Sequence, residues 1–259
     1  MSAALRRGGT SLQLDDPNVT VSIRRSRAAR RFSLSVSHID GAARLTAPHH
    51  SSEAALRRFV EGHRDWLRDA LGAAPQAAPI CDGADILFEG EPLRIAAQPG
   101  SRGVRLRSDA KRLEIGCRPA EAGRRAQLWL REQARSRLFE RSRHYADRLG
   151  VRFSRISIRD TRSRWGSCSS AGALSYSWRL ILAPPRVLDY VAAHEVAHLI
   201  ELNHSARFWA LVDDLKPDWR DDRDWLKRHG AELHRYQVPP GAAALNRGSG
   251  GASARENAG

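Results

Sequence analysis

An α+β architecture follows from three features of the chain. Its first half is broken into short apolar strands, one long amphipathic segment follows, and the remainder carries helical spacing. The chain divides accordingly into a disordered N-terminus over 1–17, a strand-rich region over 18–118, a second domain over 119–237 and a disordered tail over 238–259. The two ends are polar and glycine-containing, with too little apolar surface to offset the entropy of ordering them.

Val19–Ile23, Arg31–Val36 and Ala43–Ala47 read as strands, with Asp40-Gly41 as a hairpin turn between the last two. Ser51 or Ser52 caps a helix that presents Leu56, Phe59, Val60, Trp66, Leu67 and Leu71 on one face. After a linker over 72–79, four more strands are expected at Ile86–Phe88, Leu93–Ala96, Val104–Leu106 and Leu113–Ile115. Residues 120–149 form the long helix, with Leu128, Leu130, Ala134, Leu138, Tyr145 and Leu149 on its buried side and Gly150 as its stop. A strand over Ile156–Ile158 follows. Ser163–Ser167 and Leu174–Leu182 then make a hairpin about Ser169–Gly172. Pro184 and Pro185 start a helix running to about Leu202. Ser205 caps another through Leu215, and Pro217-Asp218 opens a third that ends near Gly230.

Bulk properties exclude several classes. No apolar run reaches the ~18 residues of a membrane-spanning helix. The first residues have no apolar stretch behind Arg6 and Arg7, so the expected compartment is the cytoplasm. Cys81, Cys117 and Cys168 are odd in number and far apart, which argues against a disulfide framework and against a cysteine zinc site. The net charge is +14, carried almost wholly by Arg, since Lys occurs only at 111, 216 and 227. Residues 101–165 hold 19 Lys/Arg against 7 Asp/Glu, whereas 185–237 hold 8 against 10. A solvated basic face is the simpler reading of the middle segment; a nucleic acid, if one binds, binds there.

The chemistry is concentrated at 194–204. His194-Glu195-Val196-Ala197-His198 is H-E-x-x-H on a predicted helix, so its two histidines lie one turn apart on one face and converge on one ion. Glu195 sits on a neighbouring face, within reach of a metal-bound water. A catalytic zinc site takes three protein ligands and leaves one position open. His204 is preferred as the third, delivered by a turn at Asn203; Glu201 shares the histidine face but reaches back along the helix awkwardly. Three of ten histidines thus fall within eleven residues. Zinc at such a site activates water and polarises a carbonyl, and Glu195 takes the water's proton and passes it to the leaving amine. Tyr190 and Arg164 are candidate oxyanion donors, against simpler readings as a packed ring and a solvated charge. Cys168 reads as a buried structural thiol ahead of a zinc-directed thiolate. Phe208 and Trp209 read as core residues that anchor the turn at His204.

Arg164-Trp165-Gly166-Ser167-Cys168, Trp178–Pro184, Leu188–Val191, His194–Leu199, Asn203-His204-Ser205 and Phe208-Trp209, in that order, resemble the signature of the YgjP-like metallopeptidases, zincins related to the WLM and SprT-like proteins. The dense part covers about 160–230. The resemblance implies zinc held by His194, His198 and His204, catalysis by Glu195, and a zincin-like C-terminal domain over 119–237. In such a domain a strand lies beside the active-site helix; here that would be Leu174–Leu182, its open edge free to pair with a peptide. It names no substrate. The expectation is a zinc metallopeptidase acting on a protein or peptide, of undetermined oligomeric state. The alternatives are a nucleic-acid-associated zinc protease docking through 101–165, and a metal-bound interaction module that no longer cleaves, which an intact Glu195 argues against.

Overall fold

The computed structural model describes residues 11–37, 41–72 and 77–239. It is a mixed α+β structure of two compact units: residues up to 77 with 230–235, and 78–229 with the chain from 236.

In the first unit, β1 (Ser11–Asp15) and β2 (Asn18–Ser26) form an antiparallel pair. β3 (Ser33–Val36) and β4 (Ala43–Pro48) form a second, and β2 lies parallel to β4, giving the order β1-β2-β4-β3. β1 corrects the expectation that 1–17 is disordered throughout. Leu12 and Leu14 alternate onto one face and are fully buried, which repays the ordering of a short strand. Residues 1–10 lie outside the described residues, as does Asp40 of the expected turn; Gly41 has φ 65° and donates its N–H to the Ser37 carbonyl. The single helix expected after Ser52 is two: α1 (Glu53–Gly62), capped by the Ser52 hydroxyl, and α2 (Arg64–Gly72). Gly62 favours the break at His63. The consequent change of phase leaves Trp66 45% exposed while Leu56, Val60 and Leu67 close the core over the sheet.

The second unit opens with β5 (Ala78–Pro79) and a sheet of β6 (Asp85–Phe88), β7 (Glu91–Ala97), β8 (Val104–Arg107) and β9 (Arg112–Ile115), in the order β6-β7-β9-β8. The long helix α3 (Pro119–Leu149) starts with Pro at its first position and ends on Gly150 at φ 66°. Its buried stripe is Ala122, Gly123, Ala126, Leu130, Ala134, Leu138 and Tyr145, so Leu128, expected inside, is 57% exposed. Small residues let the backbone come close: a Cβ on Gly123 would stand 2.0 Å from the Ile80 carbonyl oxygen.

β10 (Arg155–Arg159), β11 (Gly166–Cys168) and β12 (Ala173–Ser177) follow in the order β10-β12-β11, β12 parallel to β10 and antiparallel to β11. Two corrections arise here. The strand expected through Leu182 stops at Ser177, whose hydroxyl accepts from the Arg179 N–H and starts a 3-10 turn over Trp178–Leu182. β12 is also central, with neighbours on both sides, so the sheet's edges are β10 and β11, and of the two β11 is the strand that packs on α4. The remaining elements are α4 (Pro185–Ala197), α5 (Ala206–Leu215), α6 (Trp219–Leu233) and β13 (Tyr236–Gln237), which pairs with β5. α4 packs on α3, on the 3-10 turn and on β11, and is apolar nearly all round, as a buried helix must be. Among the described residues no helix is long and apolar enough to cross a membrane.

Candidate metal centre

α4 carries His194, Glu195 and His198 into the second unit's interior. Glu195 is 5% exposed and His198 8%. The helix ends at Ala197, five residues earlier than expected, because the chain tightens into i→i−3 bonds: Leu199 N–H to Val196 O at 3.0 Å and Ile200 N–H to Ala197 O at 3.1 Å. This early stop allows the bend that returns His204. Within the bend the Nδ1 of His198 lies 2.9 Å from the Glu201 carbonyl. A carbonyl only accepts, so Nδ1 carries the proton and the Nε2 lone pair is free. Glu201, the rival third ligand, therefore contributes its backbone oxygen, and its carboxylate is not in the cluster.

His204 is exposed and held by the start of α5. Asn203 Oδ1 accepts from the Ser205 N–H at 2.9 Å, and Ser205 Oγ accepts from the Phe208 N–H at 3.3 Å. Phe208 has no exposed surface, and its ring touches all three imidazoles, with centroids 4.4 Å from His198, 4.8 Å from His204 and 4.9 Å from His194. As expected, the Phe208-Trp209 pair anchors the turn.

One nitrogen from each of His194, His198 and His204 lies within 4.8 Å of the others, the one such cluster among the described residues. The Nε2 atoms of His194 and His204 face each other at 3.1 Å. Around a zinc ion with Zn–N near ~2.0–2.1 Å, tetrahedral nitrogens stand roughly 3.3 Å apart, so this pair already has the separation a shared ion requires. Burial, then the neighbouring His198 and His204, push His194 down to about 3, and its buried Nδ1 has no acceptor for a second proton. Burial also lowers His198. Neutral imidazoles keep the lone pairs that a metal needs. The donor set, the facing nitrogens and the neutral rings fit a divalent metal.

Glu195 and His194 line a cleft of about 320 Å³. Burial pushes the Glu195 carboxyl up to about 8, against the pull of the Arg164 charge. The edge strand β11 passes directly over it: a Cβ on Gly166 would lie 2.4 Å from Glu195 Oε1. Spacing alone did not reveal this role for Gly166. Cys168, on the same strand, is half-buried where a buried thiol was expected, and its thiol is pushed up to about 11 by burial and then by Glu195. Tyr190 lines the cleft but is a packed ring, edge-on to His194 at 5.8 Å and stacked on Trp219 at 6.3 Å. Arg223 and Lys227 of α6 also line the cleft and were missed. Their i,i+4 spacing with Trp219 marks a shared helix face, but nothing in the sequence says what that face meets.

A helix bearing H-E-x-x-H, with a third histidine returned by the next turn, defines the class of metal-dependent peptidases. Within that class, residues 30–229 match the family model described as YgjP-like, metallopeptidase domain, and the chain belongs to this family. The family gives the protein the character of a peptidase hydrolase and implies a metal. Among solved structures, the metallopeptidase zymogen of Pyrococcus abyssi abylysin is 24% identical, with 39% of this chain and 99% of that chain covered and a TM-score of 0.33. No curated protein matches the chain.

Proposed function

We propose that the protein is a zinc-dependent peptidase in which His194, His198 and His204 hold the metal and Glu195 is the general base. The observation that carries this reading is the convergence of the three imidazoles, one of which, His194, lines a cleft together with the buried Glu195. Zinc bound there supplies Lewis acidity, lowering the pKa of a water and polarising the scissile carbonyl.

The rest is the work of the chain. Glu195 accepts the proton of the attacking water and delivers it to the leaving amine. Gly166 leaves room for that carboxylate and fixes its position against β11. The free edge of β11 offers backbone groups to an extended peptide, which would lie across the cleft as an added strand. Phe208 holds the three rings in place, and the His198–Glu201 hydrogen bond fixes one tautomer.

Metal analysis and peptide-library cleavage on the native chain and on Glu195→Gln test the proposal together. About one zinc per chain is expected in both, with cleavage in the native chain only. Equal cleavage by the two would remove Glu195 from the mechanism, and absence of bound metal from both would remove the histidine site.

A further inference from the structure

α6 lines the cleft with Arg223, Leu226 and Lys227. Trp219, Arg223 and Lys227 are spaced four residues apart and share one face of that helix. The Arg223 guanidinium carbon lies 5.0 Å from the Trp209 ring centroid and 5.7 Å from that of Trp219. The two indoles stack on each other at 4.4 Å with 18° between planes. Trp209 in turn stands 5.8 Å from His194 and 5.7 Å from His204. A chain of ring contacts therefore fixes a cation at the rim of the candidate metal centre.

This cation differs from the three arginines that line a neighbouring cavity of the unit. Beside a second cavity of about 350 Å³, Arg137 pairs with Glu89, Arg141 with Asp189 and Arg186 with Asp222. Arg223 has no carboxylate within ion-pair distance among the described residues; its partners are indole faces. A guanidinium laid on aromatic faces keeps its N–H edge available and has lost much of its rotamer freedom. Glu195 is the only carboxylate among the residues lining the cleft, against Arg223 and Lys227. The charge of Arg164 also reaches Glu195. Although 185–237 is net acidic, Asp222 is buried against Arg186 and Lys216, and Asp224 pairs with Lys227, which leaves Arg223 as the cation that lines the cleft without a carboxylate partner among the described residues.

We propose that Arg223 is a substrate-binding residue that anchors a carboxylate of the peptide, so that the cleft selects peptides bearing a carboxylate near the scissile bond. The proposal rests on the peptidase reading above. An acidic side chain and a free C-terminus present the same planar acceptor to the guanidinium fork. A pocket of about 320 Å³ with one unpaired guanidinium suits such a group better than a polynucleotide, which needs a long basic groove with stacking platforms.

The test uses the full, zinc-loaded chain carrying Glu195→Gln, so that binding is read without turnover. The probes are fluorescein-labelled octapeptides that differ at one position, Glu, Gln or Lys, each with a free or an amidated C-terminus. A twelve-residue oligothymidylate is a further probe. The carboxylate-bearing peptide should bind about tenfold tighter than its Gln counterpart, the effect of one partly exposed charge-assisted hydrogen bond. Comparing the two sets of ends identifies which carboxylate is read. Adding Arg223→Gln or Arg223→Met should abolish the preference, and Arg223→Lys should retain part of it. Met keeps an apolar stem on the indoles, and circular dichroism separates loss of fold from loss of charge. With Glu195 intact, the same preference should appear in KM rather than kcat. Binding that depends neither on Glu against Gln nor on a free against an amidated C-terminus, a carboxylate preference that survives Arg223→Gln, or Arg223-dependent binding of the oligonucleotide alone would overturn the proposal. Cleavage by the Glu195→Gln chain would instead overturn the catalytic reading and leave the binding comparison standing.

Discussion

Gly166→Ala isolates one contact at the site. Gly166 does not have a positive φ, so alanine is conformationally acceptable there and its effect comes from space alone. The added Cβ would stand 2.4 Å from Glu195 Oε1, 2.6 Å from Cγ and 2.7 Å from Cδ. Carbon atoms prefer about 3.5–4.0 Å, so the carboxylate or the strand must retreat by roughly 1 Å. Glu195 is 5% exposed and has little free space to enter. Overpacking of this kind costs about 1–3 kcal/mol of stability, which lowers Tm by several degrees. A catalytic group displaced by ~1 Å loses about 100-fold in rate, equivalent to about 2.7 kcal/mol of transition-state stabilisation. The assay pairs kcat/KM on a cleaved peptide with zinc content and a melting curve. The expected result is a fall of about two orders of magnitude in kcat/KM with zinc content unchanged. Native activity in Gly166→Ala would show that the carboxylate does not depend on β11. Loss of zinc along with activity would show collapse of the whole site, and the argument for a displaced carboxylate would fail.

Two further outcomes follow from the same geometry. Ser205→Ala removes the cap that holds the start of α5, at a cost of about 1 kcal/mol; because that cap seats His204, zinc affinity should fall by about tenfold or more, measured by competition with a chromophoric chelator, and an unchanged affinity would sever the cap from the site. The Cys168 thiol, pushed up to about 11, stays protonated where an ordinary thiol near ~8.5 has begun to ionise. At pH 8 its alkylation by iodoacetamide should be about 200-fold slower than that of glutathione, rising about tenfold per pH unit towards 11; rates followed on the Cys168 peptide by mass spectrometry that match glutathione would contradict this.

What could be read in advance follows the range of the forces involved. H-E-x-x-H spacing is local, so the convergence of His194 and His198 was legible from helix period alone, and His204 from the turn signal at Asn203-His204-Ser205. Burial alternation found most strands. It missed β1 because the polar ends of that stretch outweighed Leu12 and Leu14. The end of α4 was misplaced because Leu199, Ile200 and Leu202 continue an apolar pattern while the backbone has already turned; Leu202 is 59% exposed. The edge strand was misassigned because register between β10, β11 and β12 is set by non-local pairing that no local pattern encodes. Gly166 and Arg223 owe their roles to neighbours 29 and 14 residues away, Glu195 and Trp209, and so carried no local signal.

Because the Phe208 ring has no exposed surface and borders all three imidazoles, side-chain packing itself sets the spacing of the nitrogens. The polypeptide therefore acts as a mould, in contrast to small zinc modules whose folding waits on the ion. Under the proposed reading, divalent ions of differing size would meet the same preset aperture, and competition among them would be decided by imidazole chemistry and by how little the surrounding rings yield.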